Sequence, residues 1–312
     1  MKIRRAIGGW SIVAGLYFVA LLWADSKTGV LRRLPELAPM LPVLVAATLT
    51  SIALRFARWQ WLLRRAGHRV PVGHSLLAYV AGFAFTATPG KVGELLRVRY
   101  LVTAGVPASR VVSAFVYERL FDLTAVLLVA LPVAAEFQVF GVAASFVAIV
   151  FGLVGGLAVS RRLGLRAVAA LRRLGLMRLA RIVRAAMAGL HDIRLWATLP
   201  DTALSLGVGV AAWLVTAWSF AYLVGALHID TALSPLALLA LFPVAMLAGA
   251  ASMLPGGLGS TEAILIALLT FSGAALAPAS LAAVGIRLAT LWLATVMGMA
   301  AFGWLEWRRA RA

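Results

Sequence analysis

This chain of 312 residues contains no cysteine, few acidic residues and few charged residues overall. The absence of cysteine excludes disulfide bonds, cysteine-ligated metals and thiol catalysis. Only 13% of the residues are charged, against about 25% in soluble domains. The polar interval from 160 to 200 is the longest, and it is too short and too basic for a soluble domain. A soluble enzyme or binding module is therefore excluded.

Apolar residues make up the rest of the chain, with 63% hydrophobic residues and a mean hydropathy of +0.97. Because a membrane-spanning helix needs roughly 20 apolar residues, the chain has room for about seven to nine crossings or half-crossings. The composition predicts an all-α integral membrane protein, a polytopic helical bundle that forms one membrane domain over residues 1–312. Spanning helices are expected at about 7–24, 39–57, 111–133, 137–159, 202–225, 233–253 and 280–305.

The basic residues predict the orientation of this bundle. Lys and Arg number 29 against 11 Asp and Glu, and most of them fall in alternate loops, as the positive-inside rule requires. Both termini are predicted to be cytoplasmic, in the cell inner membrane. Since this charge lies between apolar runs, anionic membrane lipids fit it better than nucleic acid does. Residues 160–200 form either a basic amphipathic segment on the inner leaflet or a plain loop that fixes topology.

The apolar stretch 76–85 is too short to cross a membrane, and Pro89, Gly90, Lys91 and Glu94 interrupt it. Backbone can break at membrane depth only where protein or water satisfies the freed N–H and C=O groups. We name residues 86–94 the first break and expect a hairpin there that enters from the inside and returns. Thr86 and Thr88 are expected to cap its helix ends.

A similar segment, 254–262, is named the second break. Both breaks carry Pro-Gly-x-x-Gly followed by an acid, Glu94 or Glu262, and an arginine then appears inside the next long helix, Arg119 or Arg287. Opposite entry sides would make residues 39–133 and 202–305 an inverted repeat, the pattern of secondary transporters. A chance match remains the alternative, as does a second break that only kinks two full spans.

Helix ends at the breaks direct unsatisfied N–H groups and a positive dipole inward, and such ends bind phosphate or carboxylate. Lys91, Arg119 and Arg287 add cations, so an intramembrane anion site is predicted. The acids either hold the arginines, bind protons or bind a cationic part of a substrate, while Arg119–Asp122 and Glu262–Arg287 are alternatively structural pairs. The candidate site residues are Pro89, Gly90, Lys91, Gly93, Glu94, Arg97, Glu118, Arg119, Asp122, Pro255, Gly256, Gly257, Gly259, Glu262 and Arg287.

The remaining polar residues give weaker indications of function. The four histidines have no metal-ligand spacing, so no metal or cofactor is expected. Arg55 and Arg58 are placed at the inner interface of the second helix, with a lipid headgroup contact by Arg58 as the alternative. Ser260 and Thr261 are expected to cap the second break.

The motifs in their order resemble the lysylphosphatidylglycerol synthase transmembrane-region family. They are Arg58-Trp59, Thr88 to Glu94 with Arg97, Glu118-Arg119-x-x-Asp122, Leu254 to Gly259 with Glu262, and Arg287-Leu288. The resemblance implies a lipid translocase for aminoacylated phosphatidylglycerol or another anionic lipid. An aminoacyl-transferase domain is not expected in this chain, which ends at residue 312. Thr261 stands where many relatives carry a basic residue, and this substitution is expected to alter headgroup choice.

We therefore expect a lipid flippase or scramblase rather than an enzyme. An intramembrane enzyme acting on a lipid phosphate is one alternative. A non-transporting scaffold that binds a lipid-synthesis enzyme is the other, and the sequence fixes no oligomeric state.

Overall fold

A computed structural model of the chain describes residues 15, 25, 29–86, 88–134, 137–159, 161–177, 180, 183–184, 193–196 and 198–311. The expected first span, 7–24, lies almost entirely outside these residues. After a single helical turn at Val30–Arg33, the helices are α1 (Leu41–Arg65), α2 (Val72–Ala81), α3 (Arg97–Val102), α4 (Ala108–Ala130), α5 (Val139–Val159), α6 (Arg161–Arg173), α7 (Leu199–Ala226), α8 (Pro235–Ala251), α9 (Ser260–Phe271), α10 (Leu276–Arg287) and α11 (Leu293–Arg311). The described part contains no strand.

Within the described residues, three helices are long and apolar enough to cross a membrane: α1, α7 and the continuous run Leu276–Arg311. Shorter apolar helices lie between them, including Val72–Phe85 and Pro235–Ala251. The all-α polytopic membrane class predicted from composition is confirmed.

Helix ends follow local chemistry. The α1 helix starts with Pro42 in its first turn and stops at Gly67, whose φ of +83° is a left-handed conformation that suits glycine. The α7 and α8 helices begin at Thr198 and Ser234, whose side chains accept backbone N–H groups of their first turns.

The α1 helix runs eight residues beyond the predicted end at 57 and includes Arg55, Arg58, Arg64 and Arg65. Trp59, Leu62 and Leu63 in this extension are completely or almost completely buried. The prediction ended the helix too early because it took the arginines as a sign of the aqueous boundary.

The long helices pack around two apolar cores. One core joins α7, α8, α9 and α10, and the other joins the end of α1 with α2, α3 and α11. The α7 helix lies along both α1 and α4, so it connects the cores. The segments before and after each break pack against each other. The inverted orientation of residues 39–133 and 202–305 stays a prediction.

The α6 helix begins the basic segment predicted at 160–200. Its Val168 is buried, while Arg166, Arg172 and Arg173 are exposed. One covered face and one basic face fit the amphipathic alternative, and its location on the inner leaflet stays a prediction.

The last run was predicted as one helix at 280–305. It instead consists of α10 and α11 joined by a π-helical turn, Leu288–Trp292, which starts immediately after Arg287. Single π-helical turns are often found at functional sites. Beyond this turn, Gly298 lies against the backbone of Phe83 and Ala84, and the ring of Phe302 packs edge-on against Phe85. The final helix therefore reaches from Arg287 to the first break.

We expect Gly298→Ala to destabilise the protein by about 1–3 kcal/mol, because overpacking a close helix contact forces backbone shifts. A Cβ at this position would lie 2.2 Å from Ala84 N and 2.5 Å from Phe83 C. Gly303→Ala on the same helix is the matched control, since its Cβ would meet nothing within 4 Å. Thermal unfolding in detergent measures both variants, and equal melting temperatures would contradict the described packing.

Candidate functional site: a charged cavity between the two breaks

The two breaks contact each other, Pro89–Leu96 against Pro255–Gly257, and a cavity of about 380 Å³ lies beside this contact. Its polar wall is formed by Thr48, Ser51, Arg55, Tyr79, Thr86, Thr88, Glu94, Arg119, Asp122, Thr216, Thr261 and Arg287. Apolar side chains, among them Phe146, Val150 and Leu254, form the rest of the lining. One cavity thus offers a charged surface and an apolar surface at the same time.

Two short 3₁₀ segments, Gly82–Phe85 and Pro89–Leu96, lie just before the first break and across most of it. Between them, Thr88 is extended, and its hydroxyl donates to Phe85 O (2.9 Å) and accepts the N–H of Gly93 (2.7 Å). The hydroxyl thus satisfies a backbone N–H in the middle of the second segment, whereas the predicted cap would bind an N–H of its first turn. A Cβ at Gly93 would lie 2.3 Å from Phe85 O, so the turn has room only for glycine there.

A buried ionic network begins at this turn. Arg97 is 1% exposed and binds Glu94 Oε2 (3.1 Å) and Glu118 Oε2 (3.2 Å). Its guanidinium group lies 4.3 Å from the ring centre of Trp59. Thr86 donates to the other oxygen of Glu94 at 3.3 Å. The first break is therefore attached to α4 through Glu94, Arg97 and Glu118.

Arg58 belongs to the same network, although the prediction placed it at the inner interface. It is 1% exposed and binds Asp122 Oδ1 (2.6 Å), Glu118 Oε1 (3.5 Å) and the carbonyl of Ser205 on α7 (3.1 Å). Tyr79 donates to Glu118 Oε1 at 3.0 Å. The sequence did contain a signal for Arg58. Glu94 and Asp122 each have an arginine three residues away, but no cation had been assigned to Glu118, so a further arginine partner was to be expected for it.

Arg119 and Arg55 lie where the network meets the cavity. The predicted pair of Arg119 with Asp122 is present, with Nη2 3.0 Å from Oδ2. Arg55 Nε approaches the same oxygen at 3.7 Å. The side chains of Arg119 and Arg55 are 20% and 17% exposed, so both present cationic surface to the cavity. Sequence reasoning missed Arg55 as a cavity residue because its partner lies on another helix.

The second break turns through three glycines with positive φ: Gly256 (+61°), Gly257 (+65°) and Gly259 (+80°). Glu262 accepts the N–H of Gly259 (2.9 Å) and binds Arg287 Nε (2.9 Å). Arg287 also donates to Gly256 O at 2.7 Å. A single carboxylate thus caps α9 and holds the arginine that closes the turn.

Ser260 and Thr261 of the second break both lie close to glycine residues. The Ser260 hydroxyl donates to Gly257 O at 3.2 Å. The Thr261 hydroxyl is buried without a hydrogen-bond partner among the described residues. A Cβ at Gly249 or Gly257 would lie 2.0 or 2.6 Å from that hydroxyl oxygen, so these glycines make room for it.

The structure therefore brings Glu94, Arg97, Glu118, Arg119 and Asp122 into one network, and Gly256, Gly259, Glu262 and Arg287 into another. The side chains at 89–92 lie outside the described part, so the role of Lys91 stays a prediction. Among the described residues, no group of three or more His, Asp or Glu side chains is arranged to hold a metal ion.

A groove of about 570 Å³ runs outside the cavity, between α5 and the end of α8. Phe146 lines both spaces. Val142 and Ile149 beside it are 58% and 61% exposed, so the groove faces the surroundings with apolar side chains. Phe146 is the side chain between the charged cavity and this outer apolar groove.

Comparison with known families identifies the chain at this point. The sequence profile described as the lysylphosphatidylglycerol synthase TM region matches residues 8–298. The chain belongs to this family. The resemblance inferred from the motifs is thereby confirmed, and both breaks and both networks lie inside the matched range. Membership indicates a multi-pass membrane protein of lipid metabolism or transport. Comparison with curated proteins gave no significant match.

We expect Arg287→Met to destabilise the protein by about 3–5 kcal/mol, because it removes the arginine that pairs with the buried Glu262 carboxylate. Arg33→Met is the matched control at an exposed pair, Arg33–Glu36 (2.8 Å), and no measurable change is expected there. Thermal unfolding in detergent measures both. Similar melting temperatures for the two variants would show that the Glu262–Arg287 pair does not hold the second break.

Proposed function

We propose that this protein is a lipid flippase or scramblase that moves an anionic, phosphate-bearing lipid between leaflets. The headgroup enters the cavity between the two breaks, and the acyl chains stay in the bilayer. The observation that carries the proposal is the pairing of a cationic wall with an apolar wall in one cavity. Family membership supports it, since the family is named for a lipid-modifying membrane protein.

The proposal assigns different roles to the charged residues. Arg119 and Lys91 hold the phosphate together with the helix ends of the breaks. Glu94 gates the cavity or couples transport to protons, because it lines the cavity and binds Arg97 and Thr86. Arg287 keeps the second break closed, since Glu262 and Gly256 already occupy its Nε and Nη2.

The route of the acyl chains follows from the groove outside α5. A lipid with its headgroup in the cavity needs a lateral opening through which its tails reach the bilayer. Phe146 lies between the cavity and an apolar groove, so the tails pass over this side chain. The apolar wall formed by Val150 and Leu254 excludes competing charge from that side.

The membrane location, the topology and the partners of the protein follow from the same proposal. The protein acts in the inner membrane with both termini cytoplasmic, because its basic residues lie in alternate loops. It changes no covalent bond of the lipid and is not an enzyme. Its partners are anionic membrane lipids, and a lipid-synthesis enzyme that supplies them is a further partner.

The first test is transport of fluorescent phosphatidylglycerol in vesicles that contain the purified protein. Arg119→Ala and Glu94→Gln are expected to slow movement between leaflets by about 10- to 100-fold, the value of one lost charge-assisted contact of roughly 1.5–3 kcal/mol. Arg64→Ala, an exposed arginine of α1, is the control and should transport normally. Dithionite quenching of the outer leaflet measures the rate. Unchanged movement in both variants would remove the assignment of this cavity as the headgroup site.

The second test concerns the tail route. Phe146→Trp is expected to slow transport several-fold, because the larger ring narrows the passage between cavity and groove. Phe151→Trp on the same helix is the control: Phe151 is 40% exposed and lines neither space. The same dithionite assay applies. Equal rates for the two variants would rule out passage of the tails at Phe146.

A further inference from the structure

The arginines around the cavity differ in the exposed fraction of their side chains. Arg58, Arg97 and Arg287 are each 1% exposed, and their guanidinium groups bind carboxylates directly. Arg55 and Arg119 are 17% and 20% exposed and line the cavity. Among the described arginines around the cavity, only Arg55 and Arg119 are therefore accessible to a ligand in it.

Both open arginines also have donors to spare. A guanidinium group carries five N–H donors. Arg55 donates to Ser51 Oγ at 2.5 Å, but its Nε is 3.7 Å from Asp122, too far for a good hydrogen bond. Arg119 Nη2 binds Asp122 Oδ2 at 3.0 Å, whereas its Nη1 is 4.0 Å from Glu94 Oε1, too far for a hydrogen bond. The donors that remain are suited to an anionic ligand.

The two groups are held at one point. Arg119 Nη2 and Arg55 Nε approach the same oxygen, Asp122 Oδ2, at 3.0 and 3.7 Å. Arg58 binds the other oxygen of Asp122 at 2.6 Å, which fixes the carboxylate. Trp213 of α7 lies 5.0 Å from the guanidinium carbon of Arg55 and orients its plane. Asp122 is thus a spacer that sets two guanidinium groups side by side.

The charges on this wall favour an anion over a zwitterion or cation. The described network has four guanidinium groups, those of Arg55, Arg58, Arg97 and Arg119, and three carboxylates, those of Glu94, Glu118 and Asp122. Each of these carboxylates is bound by at least one arginine. A headgroup amine would therefore have to compete with an arginine for every carboxylate on this wall, whereas a phosphate would meet one cation in excess.

Hydroxyl groups continue the wall beyond Arg55. Ser51 and Thr216 lie together, with their oxygens 3.2 Å apart, and Thr48 Oγ1 is buried with no hydrogen-bond partner among the described residues. All three line the cavity. Neutral hydroxyls at this end suit a neutral, hydroxyl-bearing headgroup.

We infer that Arg55 and Arg119 together bind the phosphodiester of a lipid whose headgroup is otherwise uncharged and carries hydroxyls. Each guanidinium group takes one non-bridging phosphate oxygen, and Thr48, Ser51 and Thr216 face the hydroxylated part. This inference rests on the proposed transport function and names its substrate class. It places the phosphate between Arg55 of α1 and Arg119 of α4, on the wall of the same cavity.

The test compares tail-labelled phosphatidylglycerol with tail-labelled phosphatidylethanolamine and lysyl-phosphatidylglycerol in vesicles with the reconstituted full chain. The wild type is expected to move phosphatidylglycerol at least 10-fold faster than the two amine-bearing lipids. Arg55→Gln is expected to slow phosphatidylglycerol by about 10- to 100-fold and to reduce this preference. Arg55→Lys keeps the charge but loses the planar fork, so it should restore less than half of the rate. Arg64→Gln on the same helix is the control.

Native mass spectrometry of the folded protein provides a readout that does not depend on transport. Wild type and Arg64→Gln are expected to retain phosphatidylglycerol, and Arg55→Gln is expected to lose it. A wild type that moves no lipid would contradict the proposed function, whereas retained binding would still support the Arg55 site. Normal transport and binding by Arg55→Gln would overturn the Arg55 site alone, and a preference for amine-bearing lipids would overturn the substrate class.

Discussion

The carboxylate of Asp122 is the group on which the site depends. Arg58 of α1 binds one of its oxygens, and Arg119 of its own helix binds the other, while Arg55 approaches from the cavity. Charges buried in a membrane protein are costly unless they are paired and hydrogen-bonded. These contacts tie α1 to α4 and leave the side chains of Arg55 and Arg119 partly exposed to the cavity.

The first break depends on the same network. Its short 3₁₀ segments leave backbone groups that no regular helix satisfies. Thr88 satisfies some of them, and Arg97 binds Glu94 to Glu118, which fixes the returning segment against α4. The turn itself needs Gly93, because no side chain fits between Phe85 and the returning backbone. Local turn chemistry and the buried charges therefore support each other.

The two breaks share a motif but differ in what their arginines do. Arg287 is enclosed by Glu262 and Gly256, and it stabilises the turn of the second break. Arg119 faces the cavity and keeps free donors. The same sequence pattern thus gives a structural ion pair, Glu262–Arg287, at the second break, and a partly exposed arginine, Arg119, next to the first. The asymmetry follows from the neighbours: Arg119 shares its acids with Arg58 and Arg97, whereas Glu262 has Arg287 as its arginine.

The sequence by itself determined the membrane class, the positions of both breaks and the local pairs, because hydropathy, Pro-Gly turns and i, i+3 spacing are local properties. Arg119–Asp122 is the predicted pair of this kind, and Glu94–Arg97 has the same spacing but was recognised only in the structure. Tertiary structure alone decided that Arg58 is buried and that Arg55 faces the cavity. Their partners lie more than 60 residues away, on another helix. An arginine near a helix end looks the same in sequence whether it faces water or a distant carboxylate, so only packing distinguishes the two.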